Sequence, residues 1–289
     1  MGAGAPLPSV APLTKRYVVA SIPSGFGAIL GSKLLEIWYP ADASLSGGRV
    51  DAINGALAGI ALPSPGAGER PAYDASDTDF NGRPTFRTEV DSSNSYLANN
   101  TATGADAAAL GPSGTHHNFI FCVARLMSPG AQANDKCLMQ LGLWGGATDR
   151  NLMILIGTSG QQRSYLFNGA ANYVDGGAVD GAMHLFGAYA LGSSLYTVRD
   201  TTVTSAALSG SDAWSGPATN GRVFAGSRSA NPGYWIDAEY AVLGVCSEPP
   251  SASELTAMSD YVRSAYADVP AYVVMPPGAS NAGERIILP

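Results

Sequence analysis

Glycine and proline interrupt the whole chain, with 35 Gly and 19 Pro spread over 289 residues. Each proline fixes φ and removes a backbone donor, and each glycine weakens the interior of a regular element. Long helices are therefore excluded, and many short strands joined by turns are expected. The glycines follow no three-residue period, so the chain is not collagen-like. A chain of this length buries a large core and suits one large all-β domain or two smaller ones. Charged residues make up only 13% of it, against about 25% in an average protein. Its surface must be built from Gly, Ser, Thr, Asn and Ala.

The formal net charge is −7, and the only lysines are Lys15, Lys33 and Lys136. Nucleic-acid binding through a basic patch is not expected. No apolar run is long enough for a transmembrane helix, and no membrane partner is expected. The opening Met1-Gly2-Ala3-Gly4-Ala5-Pro6 has neither a basic region nor an apolar stretch, so it does not read as a signal peptide. Cys122, Cys137 and Cys246 are odd in number and widely spaced. That spacing gives no disulfide framework and no zinc site. Cys122 and Cys246 lie in apolar runs and read as small core residues, suited to folding in a reducing cytoplasm.

Three parts are expected. Residues 1–33 form an extended N-terminal arm, because the prolines of Ala5-Pro6-Leu7-Pro8-Ser9-Val10-Ala11-Pro12-Leu13 cannot sustain a helix. Residues 34–268 form the globular body, and residues 269–289 a second extended arm. Within the body, strands are expected over 117–126, 137–144, 151–157, 164–169, 183–191, 194–199, 202–208, 222–227 and 234–246. The first is apolar on both faces and reads as a central strand. A helix is expected over 252–267, with Ser251 and Glu254 as its capping box and Leu255, Met258, Val262 and Ala265 on one face.

Several segments together carry a resemblance. They are Leu35-Glu36-Ile37-Trp38-Tyr39-Pro40-Ala41-Asp42, then Arg70-Pro71 with Asn81-Gly82-Arg83-Pro84-Thr85-Phe86. Further on come Tyr234-Trp235-Ile236-Asp237-Ala238-Glu239 and the closing helix with Tyr261-Val262 and Tyr266. In this order they resemble the concanavalin A-like, laminin G-like jelly rolls of phage and bacterial proteins. The glycine common in the family's "Gly-Asp-Ile-Ala-Glu" strand is absent here, and the Asp is displaced. The resemblance implies an all-β fold: a concanavalin A-like jelly-roll β-sandwich of two antiparallel sheets, with one short C-terminal helix and extended N- and C-terminal arms. That fold hosts lectins, polysaccharide-cleaving enzymes and structural modules, and so does not settle function.

The search for chemistry starts with carboxylates. Glycoside cleavage needs two of them about 5–10 Å apart, and no Glu-x-Asp-x-x-Glu arrangement exists among the seven Glu. Asp237 and Glu239 share a strand face and read as a structural polar pair. His116 and His117 point to opposite faces if extended, which makes a shared metal site awkward. No Gly-x-Ser-x-Gly elbow is present. The acidic run Asp74-Ala75-Ser76-Asp77-Thr78-Asp79-Phe80-Asn81 offers alternating oxygens but lacks the Gly and terminal Glu of an EF-hand, and reads as a solvated turn before it reads as a cation site. Trp144 with Asp149, and Trp214 with Asn220, are candidate sugar platforms on loops, where core packing explains a tryptophan less easily; plugging a subunit interface or packing locally is the plainer reading of both.

The leading expectation is a non-enzymatic structural protein of a tailed-phage virion, made in the host cytoplasm and carrying no cofactor and no metal. It would assemble with other virion proteins and with copies of itself. Its assembly anchors would be Leu7, Val10, Leu13, Val18, Val19 and Ile22 at one end, and Val273, Val274, Ile286, Ile287 and Leu288 at the other. The alternative is a carbohydrate-binding, lectin-like module that contacts host-cell glycans. A polysaccharide lyase or hydrolase ranks last.

Overall fold

A computed structural model describes residues 25–90, 94–99, 109–110, 118–142, 151–210, 222–227 and 234–266. Two antiparallel sheets pack face to face in a jelly-roll β-sandwich, as the resemblance implies. The larger sheet contains β1 (Leu34–Ser46), β2 (Arg49–Gly55), the short β3 (Leu62–Pro63), β4 (Ala72–Asp77) and β5 (Arg83–Thr88), together with β7 (Phe119–Leu126), β12 (Met183–Leu191), β13 (Ser194–Arg199), β14 (Thr202–Ala207) and β16 (Ala238–Cys246). Its order is β1-β2-β4-β5-β16-β7-β12-β13-β14, with β3 on β2 and a further pairing of β1 with β16. The smaller sheet runs β11 (Ala171–Ala178), β10 (Gln161–Phe167), β9 (Asn151–Ile156), β8 (Lys136–Gly142), β15 (Val223–Ala225) and β6 (Leu97–Ala98).

The two-faced apolar pattern of β7 has a direct cause. Its Ile120, Cys122 and Ala124 face the smaller sheet and join Trp38, Phe86, Phe186, Tyr240 and Leu243 in the sandwich core. Its Phe119, Phe121 and Val123 face the other way, under α1 (Phe26–Leu30) and α2 (Ala252–Tyr266), with Leu255, Met258 and Val262. The larger sheet is thus the middle of three layers, and a strand in its centre must be apolar on both sides. Gly244 and Gly187 sit directly across from Phe121 on the two neighbouring strands. A Cβ on Gly244 would lie 2.2 Å from the Phe121 ring, and one on Gly187 would lie 2.5 Å from Phe119.

The helix of residues 252–267 is present as α2, and its capping box is formed. Ser251 N–H donates to Glu254 Oε2 at 2.6 Å, and Glu254 N–H donates to Ser251 Oγ at 3.3 Å. Glu254 also takes the Lys33 ammonium at 2.7 Å. All three cysteines are buried, and none is in a disulfide.

Three expectations need correction. The N-terminal arm does not reach residue 33. Phe26–Leu30 is helical, and Phe26 is buried against Phe121 and Tyr261, each with its ring centre 5.1 Å away. Two large apolar side chains within five residues were enough to fasten this stretch to the body; residues 1–24 lie outside the described residues. The last strand begins at Ala238 rather than at residue 234, because Tyr234 turns toward the smaller sheet. Part of the acidic run is the strand Ala72–Asp77, followed by a 3-10 turn, Thr78–Phe80.

Candidate functional site

Helices α1 and α2 cover part of the outer face of the larger sheet, whereas the outer face of the smaller one carries an aromatic and polar cleft. Strand alternation places its side chains. Along β10, Leu166 points into the sandwich core, and Gln162 reaches across it to donate to the Val198 carbonyl at 2.8 Å. Arg163, Tyr165 and Phe167 therefore point outward. On β11, Val174 points inward, leaving Tyr173 and Asp175 outward. Register then sets the neighbours: Tyr165 lies across from Tyr173 and Met153, and Arg163 across from Asp175 and Leu155. The Tyr165 and Tyr173 rings stand 4.8 Å apart at a tilt of 54°. Tyr234 and Phe167 pack on the cluster of Cys137, Met153, Leu155 and Tyr165. Asn134, Asp135, Leu155, Thr158, Tyr165, Tyr173 and Tyr234 line an open cleft of about 240 Å³.

One wall is held by an ion-pair network. Arg163 donates from Nε and Nη2 to Asp175 at 2.5 and 3.0 Å, and from Nη1 to the Asp135 carboxylate at 3.2 and 3.4 Å. Its guanidinium also stands 5.3 Å from the Tyr173 ring centre. Asp135 accepts a further bond from the Thr158 N–H at 3.2 Å, which fixes the β9–β10 turn beside it. The hydrogen bond from Arg163 holds the Asp175 carboxyl below its usual range, while the same pairing raises the pKa of Arg163 against the effect of its burial. The cleft presents aromatic rings, a carboxamide, a hydroxyl and a carboxylate to one small space.

Trp144, Asp149, Trp214 and Asn220 lie outside the described residues, as do all the assembly anchors from Leu7 to Ile22 and from Val273 to Leu288. Gly142 and Asn151, which bracket the Trp144 segment, stand at the opposite end of β8 and β9 from Asp135 and Ile156. The cleft residues were not singled out from sequence. Their signal was the alternation Arg163-x-Tyr165-x-Phe167 beside Tyr173-x-Asp175, which becomes visible once the two runs are paired as a hairpin.

The other candidate groups are engaged elsewhere. Asp237 takes a bidentate pair from Arg87 at 2.8 and 2.9 Å, and Glu239 is held by Arg125, which also pairs with Asp79. Glu239 lies in register between Arg87 and Arg125, and burial lifts its carboxyl above the usual range. In the acidic run, Asp77 accepts from Asp79 N–H and Thr85 Oγ1, and Asp74 accepts from Ser76 N–H. Among the described residues no three His, Cys, Asp or Glu side chains come together as a metal site, and no helix is long and apolar enough to cross a membrane.

No family model and no curated protein matches the sequence. Among solved structures, partial likenesses occur. The CBM40 domain of Ruminococcus gnavus IT-sialidase, bound to alpha2,3 sialyllactose, is 17% identical at a TM-score of 0.42, over 50% of this chain and 82% of that one. Trypanosoma rangeli sialidase in complex with sialic acid is 11% identical at a TM-score of 0.47, over 81% of this chain and 34% of that one. Domains LG4-5 of the mouse laminin alpha1 chain are 12% identical at a TM-score of 0.38, over 50% of this chain and 39% of that one.

Proposed function

We propose that the chain is a non-catalytic carbohydrate-binding protein, and that the outer-face cleft of the smaller sheet is its glycan site. The observation that carries this reading is the convergence of Tyr165, Tyr173 and Tyr234 with Asn134, Asp135 and Thr158 around one small space. A sugar ring has an apolar C–H face and a rim of hydroxyls. Aromatic rings take the face, and fixed amide, hydroxyl and carboxylate groups take the rim. Tyr173 is 49% exposed, so its ring is available to a ligand. A catalytic role has less support, because the carboxylate pair at Asp237 and Glu239 is neutralised by arginines. The virion-assembly reading rests on arms that lie outside the described residues, and the cleft supports glycan contact instead.

Screening the protein against a glycan array and titrating the best ligand tests this. Tyr173→Ala removes an exposed ring and should leave the melting temperature nearly unchanged while weakening binding about tenfold, equivalent to ~1.4 kcal/mol. An array with no binder, or a bound glycan whose affinity is the same in Tyr173→Ala, would overturn the reading.

A further inference from the structure

We infer that the cleft admits a single uncharged sugar ring and discriminates against acidic sugars. This rests on the glycan-binding reading and adds the ligand's size and charge class to it. The size follows from the space available: about 240 Å³ is below the ~300–1,000 Å³ of pockets that hold drug-sized ligands. One ring with its substituents fits, and an extended chain would have to run out over the rim.

The charge class follows from the lining, which contains one formal charge, the Asp135 carboxylate, and no cation. The nearest guanidinium is Arg163, and it is already committed. Its Nε, Nη1 and Nη2 groups all donate to Asp135 or Asp175, which leaves little of a guanidinium's five-donor capacity for a ligand. Two carboxylates around one guanidinium also leave the wall one negative charge in excess. Drawing Arg163 toward a ligand carboxylate would strip its partner from Asp135, whose side chain is only 18% exposed, and a poorly solvated carboxylate without a partner is costly. Lys136, next in sequence, stands in register with the inward-facing Ile156, on the opposite face of the sheet from Cys137. An acidic sugar would thus bring a second negative charge within a few ångströms of Asp135 and meet no free cation among the described residues that line the cleft. A neutral ring can instead donate its hydroxyls to Asp135 and lay a C–H face on Tyr173 or Tyr234.

Matched methyl glycosides that differ only in charge, glucoside with glucuronide and galactoside with galacturonide, test this by calorimetric titration at low salt. In at least one pair the neutral member should bind about tenfold tighter or better, the penalty expected of a like charge nearby at a protein surface. Asp135→Asn removes that charge and holds the Arg163 Nη1 group only through a neutral amide oxygen, so the gap should close or invert. Equal or tighter binding of the uronides by the unmodified protein would overturn the charge assignment while leaving the cleft as a glycan site. Binding of neither member of any pair, alongside tight binding of longer glycans on the array, would overturn the single-ring assignment. No binding of any sugar would overturn the glycan reading itself.

Discussion

The Glu36 carboxylate is fully buried and accepts backbone N–H groups of Ile37, Leu57, Ala58 and Ile60 at 2.7–3.1 Å. It supplies the acceptors that the turn after β2 would otherwise lack, and it needs Gly55 beside it, where a Cβ would lie 2.2 Å from the carboxylate. Glu36→Gln puts an amide donor against backbone donors. It should cost about 1–3 kcal/mol in urea unfolding, the range for leaving buried polar groups unmatched; a loss well under 1 kcal/mol would show that the turn holds itself. His184 gives a pH-dependent case. Its Nδ1 stands 2.7 Å from Asp200 and its Nε2 3.0 Å from Asp180. Burial opposes the imidazole's charge, but the two carboxylates outweigh it and raise its pKa above 6.5. Asp200, against its own burial, and Asp180, mainly through the Ala182 N–H, are held below 3.8. A raised histidine stabilises fully below its unfolded value and loses that contribution as pH rises through its folded value. Depressed carboxylates stabilise above their unfolded value and lose it as pH falls through theirs. The cluster is therefore most stabilising between those limits. His184→Gln should cost most near pH ~5.5 and progressively less as pH rises beyond ~7. A cost independent of pH in denaturation series would contradict the pairing.

Among the elements, those with local punctuation were legible in the sequence. The meander β12–β13–β14 follows its turns at Gly192-Ser193 and Asp200-Thr201, and α2 follows its capping box and apolar spacing. Ser251→Ala should remove the Oγ half of the reciprocal cap and cost about 0.5–2 kcal/mol in thermal unfolding. No change would mean that the Lys33–Glu254 pair alone fixes the start of α2. Strands β2, β4, β5 and β11 were not legible, and β11 is the one that matters for the site. Asn172, Asp175, Gly176 and Gly177 are poor strand formers, and it becomes a strand because β10 supplies a full antiparallel partner from Phe167↔Ala171 to Gln161↔Ala178. That strand carries Tyr173, so the site was hidden together with it. The two-residue β3 and β6 likewise exist only through their partners, since a pairing energy set by another segment leaves no local pattern to read.

At the scale of the whole molecule, the two sheets differ in their outer faces. Phe26 and the apolar stripe of α2 cover the outer face of the larger sheet over Phe119, Phe121 and Val242, while the tyrosine cleft of the smaller sheet stays open. The jelly roll itself was legible from the order of four short motifs, because strand alternation and turn residues repeat throughout such a fold. The cleft was not, because its residues come from β9, β10, β11 and the segments before β8 and β16, and only the register brings them together. The most direct test is to map backbone amide shifts by NMR while titrating the protein with a neutral glycan that binds. Perturbations centred on Asn134, Asp135, Leu155, Thr158, Tyr165, Tyr173 and Tyr234, which need about tenfold more ligand in Tyr173→Ala, are the predicted result. Shifts confined to the ends of the strands bordering residues 143–150 and 211–221, with the tyrosines unmoved, would contradict it.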